Sequence, residues 1–180
     1  MGAQGPQSGT DGRHRRCCAL VHASSLPPQQ GCLPHRRAAL STHQHQPARP
    51  YLLVQALAPA MVQRGHGAII NISSGATTTP GPGTGIYGAT KAALESLTRV
   101  WAAEFGPAGV RVNALAAGPT RTEGTAAFGD AFEAAGKAVA LQRLADAEEI
   151  AGAVTFLASQ AAGYINGTTL SAMGGMPALG

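Results

Sequence analysis

The chain has 180 residues, of which 44% are hydrophobic and 12% charged, enough apolar material for one domain with a real core and suited to a compact α/β or α protein. Its formal net charge of +4 is unevenly placed, because six of the 13 basic residues but only one of the nine acidic ones, with five of the six histidines, fall in residues 1–50; the basic character therefore belongs to one segment and not to a shared surface. There is no run of about 18 apolar residues to predict a membrane span and no charged-then-apolar leader to predict a secretory signal, while Cys17, Cys18 and Cys32 match neither a disulfide framework nor a zinc-ligand spacing.

In chain order, residues 1–16 are Gly, Gln, Ser, Arg and His with little apolar content, a composition expected to be disordered. Residues 17–23 read as a short strand. Residues 24–50 show neither helical nor strand period and are crowded with Pro, Gln, His and Arg. Residues 1–50 are thus expected to stand apart from a domain over 51–180. From Tyr51 onward apolar residues fall at helical spacing through Val62, and Gly65 and Gly67 end that helix.

Residues 68–72, AIINI, form a short β-branched run bounded by turn residues, the signature of a buried strand. Ser73 and Ser74 close it, and a loop rich in Gly, Pro and Thr leads to Tyr87. A helix over about 87–105 places Tyr87 and Lys91 four residues apart, and so on one face, an arrangement that holds a cation beside a phenol and makes it more acidic. Gly106 and Pro107 stop the helix. Residues 110–115 are the next strand, with a loop over 118–122 at its carboxyl end. Residues 123–144 carry only a weak helical pattern and are expected to be mobile. Asp146 with Glu149 reads as a capping box before a stronger helix, and residues 168–172 are the last strand. Helices and strands alternate, which predicts a parallel sheet with helices on both faces and a ligand at the carboxyl ends of the strands, where Ser74, Thr120 and Thr122 fall.

Over about residues 50–175 these motifs, taken in order, resemble the short-chain dehydrogenase/reductase family: Asn71-Ile72-Ser73-Ser74, Tyr87-Gly88-Ala89-Thr90-Lys91, Arg111-Val112-Asn113-Ala114, Gly118-Pro119-Thr120-Arg121-Thr122, and at the end Glu149-Ile150-Ala151, Phe156-Leu157-Ala158-Ser159 and Gly174-Gly175. The resemblance implies an α/β fold, an incomplete doubly wound (Rossmann-like) parallel sheet, and hydride transfer between NAD(P)H and a ketone or alcohol carbon, with a flavour of the 3-oxoacyl reductase branch. It implies Tyr87 as general acid/base, Lys91 as the cation beside it and a holder of the nicotinamide ribose, and Ser74 as the group hydrogen-bonding the substrate carbonyl. Gly118, Pro119, Thr120 and Thr122 would border NAD or NADP, between which the sequence does not choose. It further implies a small carbonyl or alcohol substrate, a homodimer or homotetramer built through the helices near 51–64 and 87–105, and a cytoplasmic setting with no membrane, nucleic-acid or metal partner.

Residues 1–50 depart from the family pattern. They hold no Gly-x-x-x-Gly-x-Gly after a strand, His22-Ala23-Ser24-Ser25 stands where Asn-Asn-Ala-Gly is expected, and Gln46 stands where a catalytic Asn is expected. One reading is that residues 1 to about 49 are translated in a shifted frame, which translating the upstream DNA in the other two frames tests. The rival function is a catalytically inactive fragment acting at most through its oligomer interface. Simpler readings compete at each motif: a surface pair for Tyr87 and Lys91, a strand end for Ser73 and Ser74, turn residues for Thr120 and Thr122, core or interface for Trp101. His43 and His45 lack a third ligand, and no aromatic residue accompanies the basic ones before Tyr51, which disfavours nucleic-acid binding.

Overall fold

The computed structural model describes residues 18–22 and 36–176. Its elements in order are β1 (Cys18–His22), α1 (Arg36–Arg64), β2 (Gly67–Ser74), α2 (Gly85–Phe105), β3 (Val110–Ala117), β4 (Thr120–Arg121), α3 (Glu123–Ala126), α4 (Gly129–Ala138), β5 (Ala145–Asp146), α5 (Ala147–Ala158) and β6 (Thr169–Ala172). The expectations for residues 1–16, and for Ala23, Ser24 and Ser25, lie outside the described residues.

Four strands form one sheet in the order β1-β2-β3-β6, all parallel, with Leu20 opposite Ile70, Ile70 opposite Asn113, and Leu115 opposite Leu170. A parallel pair needs a crossover between its strands, and helices supply it. Side chains alternate across the sheet. On one face Ile69, Val110 and Val112 pack with Val54, Ala58 and Met61 of α1 and with Leu94, Trp101 and Ala102 of α2. On the other, Ala68, Ile70, Ile72 and Leu115 pack under Leu157 of α5, flanked by Ile150, Val154 and Leu170. This is the expected sheet with helices on both faces. The central strands are buried along nearly their whole length, so they read as continuous apolar runs.

Two differences from the sequence reading are informative. Helix α1 begins at Arg36, well ahead of Tyr51, and runs through Pro47, Pro50 and Pro59. Proline removes a helix donor and crowds the preceding turn, which is why the local pattern pointed to a start after Pro50. The crossover from β1 to β2, packed against α2, overrides that preference, as tertiary contacts often override propensity. Gly65, at φ +75°, follows the helix as expected. Residues 123–144 contain two short helices, α3 and α4. A reciprocal Thr122–Thr125 cap starts the first, and Phe128 and Phe132 form a tilted pair, 5.7 Å between ring centroids, near the start of the second. No helix among the described residues is long and apolar enough to cross a membrane.

Candidate active site

The carboxyl ends of β2 and β3 lie side by side, with Ser74 opposite Ala117 in the ladder, so Ser74 and the loop starting at Gly118 come to the same edge. After Ser74 the chain makes a single 3-10 turn, Gly75–Thr77, capped by the Ser74 hydroxyl, which accepts from the Ala76 N–H at 3.3 Å. Helix α2 then brings Tyr87 back over this turn. The approach is close: a Cβ on Gly88 would lie 2.9 Å from the Ala76 carbonyl oxygen, so the residue after Tyr87 must be glycine for the helix to sit there.

Lys91 lies one turn beyond Tyr87 and is buried, 2% exposed. Its Nζ sits 5.6 Å from the Tyr87 ring centroid, within cation–π range, and donates to the Ile72 carbonyl at 2.9 Å. Burial pulls the ammonium pKa down to about 8, because desolvation disfavours the charged form; at neutral pH it still carries its proton. The spacing read from the sequence thus becomes a cation held beneath a half-buried phenol.

Contacts that the sequence reading did not name fix α2 on β2. The Asn71 Nδ2 donates to Thr98 Oγ1 at 2.7 Å, and that hydroxyl donates to the Leu94 carbonyl at 2.8 Å. Ser73 Oγ donates to Glu95 Oε1, and Thr77 Oγ1 lies 3.1 Å from the same oxygen and 3.0 Å from the Ser74 carbonyl. Thr98, Glu95 and Lys91 thus hold three consecutive strand residues, Asn71, Ser73 and Ile72, from one face of the helix. The available signal was the four-residue spacing of Lys91 and Glu95 on a helix facing a strand that ends in two hydroxyls.

The loop after β3 is built differently. Gly118 donates its N–H to the Ala172 carbonyl, and a Cβ there would lie 2.7 Å from the Met173 Cα, so only glycine lets the loop lie against the end of β6. Thr120 Oγ1 donates to the Gly118 carbonyl at 2.9 Å, and Thr122 caps α3, so both hydroxyls bond within the loop. Strands β4 and β5 pair in a separate two-stranded sheet. A cavity of about 180 Å³ lies behind the loop, lined by Gly118, Pro119, Val139, Leu141, Met173 and neighbours, and it does not include Ser74, Tyr87 or Lys91.

A family model described as enoyl-(acyl carrier protein) reductase matches residues 20–177, reaching further upstream than the motifs do. The human protein "Dehydrogenase/reductase SDR family member 4" is 37% identical over 131 residues, which are 71% of this chain and 47% of that protein. The 3-oxoacyl-(acyl-carrier-protein) reductase FabG of Escherichia coli (strain K12) is 41% identical over 127 residues, 70% of this chain and 52% of that protein. The chain thus spans about half the length of the curated relatives it matches. Among solved structures, a short chain dehydrogenase/reductase family protein superposes with a TM-score of 0.79 at 46% identity, covering 88% of this chain and 66% of that one. A gluconate 5-dehydrogenase from Burkholderia cenocepacia J2315, in complex with NADP and tartrate, does so with a TM-score of 0.74 at 31% identity, covering 89% of this chain and 64% of that one. Sheet, strand-end serine, Tyr87–Lys91 pair and family match agree: the chain belongs to the short-chain dehydrogenase/reductase family.

Proposed function

We propose that this chain is a cytoplasmic oxidoreductase that interconverts a ketone and an alcohol with NAD or NADP, on a substrate of the 3-oxoacyl type. The observation that carries the reading is the buried Lys91 ammonium, fastened to the Ile72 carbonyl 5.6 Å from the Tyr87 ring centroid. A buried cation costs free energy, and its place beside a phenol gives that cost a use.

In the reduction, Tyr87 delivers its phenolic proton to the substrate oxygen as charge develops there, and Ser74 donates a hydrogen bond to the same oxygen. Lys91 stabilises the phenolate left on Tyr87. In the oxidation Tyr87 takes the proton back. When bound, the nicotinamide supplies or accepts the hydride. Tyr87 and Lys91 would hold the nicotinamide end of such a cofactor, with the loop of Gly118, Pro119, Thr120 and Thr122 bordering it. At the diphosphate end the fit is poorer: residues 1–50 offer no glycine-rich loop, and Thr122 is committed to its cap.

That poorer fit supports a second reading, an inactive family member acting through self-association. The apolar outer surfaces of α1 and α2 are suited to it, since Leu52 is 63% exposed and Leu53, Ile86 and Val100 are exposed as well. We propose that these surfaces join two or more copies whichever reading holds. Calorimetric titration of the 180-residue chain with NADH and NADPH separates the two. Binding with turnover of a 3-oxoacyl ester supports the enzyme. No binding of either cofactor sinks it, and a dimer by light scattering then favours the second reading.

A further inference from the structure

The turn that presents Ser74 is tied down from the helix that presents Tyr87, and one side chain makes the tie. Glu95 lies one helical turn beyond Lys91 and two beyond Tyr87. Its Oε1 accepts from Ser73, the residue just before Ser74, and is 3.1 Å from Thr77 Oγ1, at the end of the 3-10 turn just after it. Ser73 is buried. The Thr77 proton is shared with the Ser74 carbonyl, which couples the backbone of Ser74 itself to the carboxylate. Ser74 Oγ is an acceptor toward the Ala76 N–H; that bond uses a lone pair and leaves its proton to donate.

We propose that Glu95 is a positioning residue: its carboxylate clamps Ser73 and Thr77, one on each side of Ser74, and thereby aims the Ser74 hydroxyl at the oxygen that Tyr87 protonates. This rests on the reading of Ser74 given above. A charge-assisted pair of hydroxyl bonds to one oxygen is both short and directional, and α2 carries Glu95 and Tyr87 together, so the serine and tyrosine keep a fixed separation. Only one acceptor oxygen is required. A glutamine amide presents the same oxygen, whereas alanine presents none.

The test uses the full chain with ethyl acetoacetate and NADPH or NADH. Glu95→Ala lowers kcat by about 10²-fold with KM little changed, the cost of a misplaced group that does not itself bind substrate. Glu95→Gln stays within about threefold of the parent. In a Ser74→Ala background, Glu95→Ala has no further effect, because the two act as one unit. A Glu95→Gln variant as damaged as Glu95→Ala, or a full additional loss in the Ser74→Ala background, overturns the proposal. If Ser74→Ala alone turns over normally, or the chain shows no turnover, the reading of Ser74 falls instead. Amide hydrogen exchange then still decides on the clamp: exchange at residues 75–79 speeds up in Glu95→Ala and not in Glu95→Gln, and unchanged exchange in both overturns it.

Discussion

Between β2 and α2 the polar contacts are buried: Asn71 and Thr98 are fully inaccessible and Lys91 nearly so. Around the loop after β3 they lie in water. Arg121 pairs with Glu133 at 3.4 Å and Asp146 at 3.6 Å with its side chain 61% exposed, and Arg143 forms a two-pronged pair with Glu149 at 2.6 and 2.7 Å. Buried hydrogen bonds are costly to leave unmade, whereas exposed ion pairs contribute little. The α2–β2 side is therefore expected to be the more rigid, and the loop side the more adaptable.

The largest expected effect is on the rigid side. Tyr87→Phe removes the proton donor and should lower turnover by about 10²- to 10⁴-fold while the melting temperature stays near that of the parent; unchanged turnover refutes the acid/base assignment. Lys91→Met removes the cation and should cost a comparable factor. It also tests the pKa. With the folded value near 8 against an ordinary 10.5, the unfolded chain binds more protons across that window, so the parent gains stability as pH rises from 8 to 10.5. Relative to Lys91→Met, urea unfolding should show a gain of about 3 kcal/mol, and the parent's reductase activity should fall above pH 8 as Lys91 loses its charge. Equal pH dependence of stability in the two proteins would contradict the buried cation.

Thr98→Val is expected to be milder. It strips the Asn71 amide of its acceptor inside the core, where Asn71 Oδ1 already lacks a partner among the described residues, and should cost about 1–3 kcal/mol in denaturant unfolding. The smallest effects belong to the adaptable side. Arg121→Ala should change stability by about 0.5 kcal/mol or less. The Arg143 side-chain hydrogen bond holds the Glu149 carboxyl down at about 2, so its contribution is present above pH 4.5 and is lost as pH falls toward 2. Glu149→Gln should remove that acid-side slope and little else. A loss at Arg121 as large as that at Thr98 would erase the contrast between the two sides.

What could be read from the sequence follows the same division. Ser74, Tyr87 and Lys91 sit in short-range patterns, a strand end and a four-residue helical spacing, and the structure puts them on β2 and α2 as those patterns implied. β2 and β3 were legible because a doubly covered sheet needs unbroken apolar runs, and β6, only partly buried, was legible from the glycines that bound it. The start of α1 was not, since its prolines contradict the helix locally. Gln46 falls within that helix. Glu95 was missed because its partners lie 18 and 22 residues away, a separation no local period reports. The weak helical pattern of 123–144 did not locate α3 and α4, whose starts are marked by a threonine cap and a tilted pair of rings.

The glycine at position 88 bears on how such a protein can change. Because the Ala76 carbonyl oxygen lies 2.9 Å from where a Cβ would begin, any side chain at position 88 obliges the turn after Ser74 and the start of α2 to move apart, so a change there alters the spacing of Ser74 and Tyr87 together.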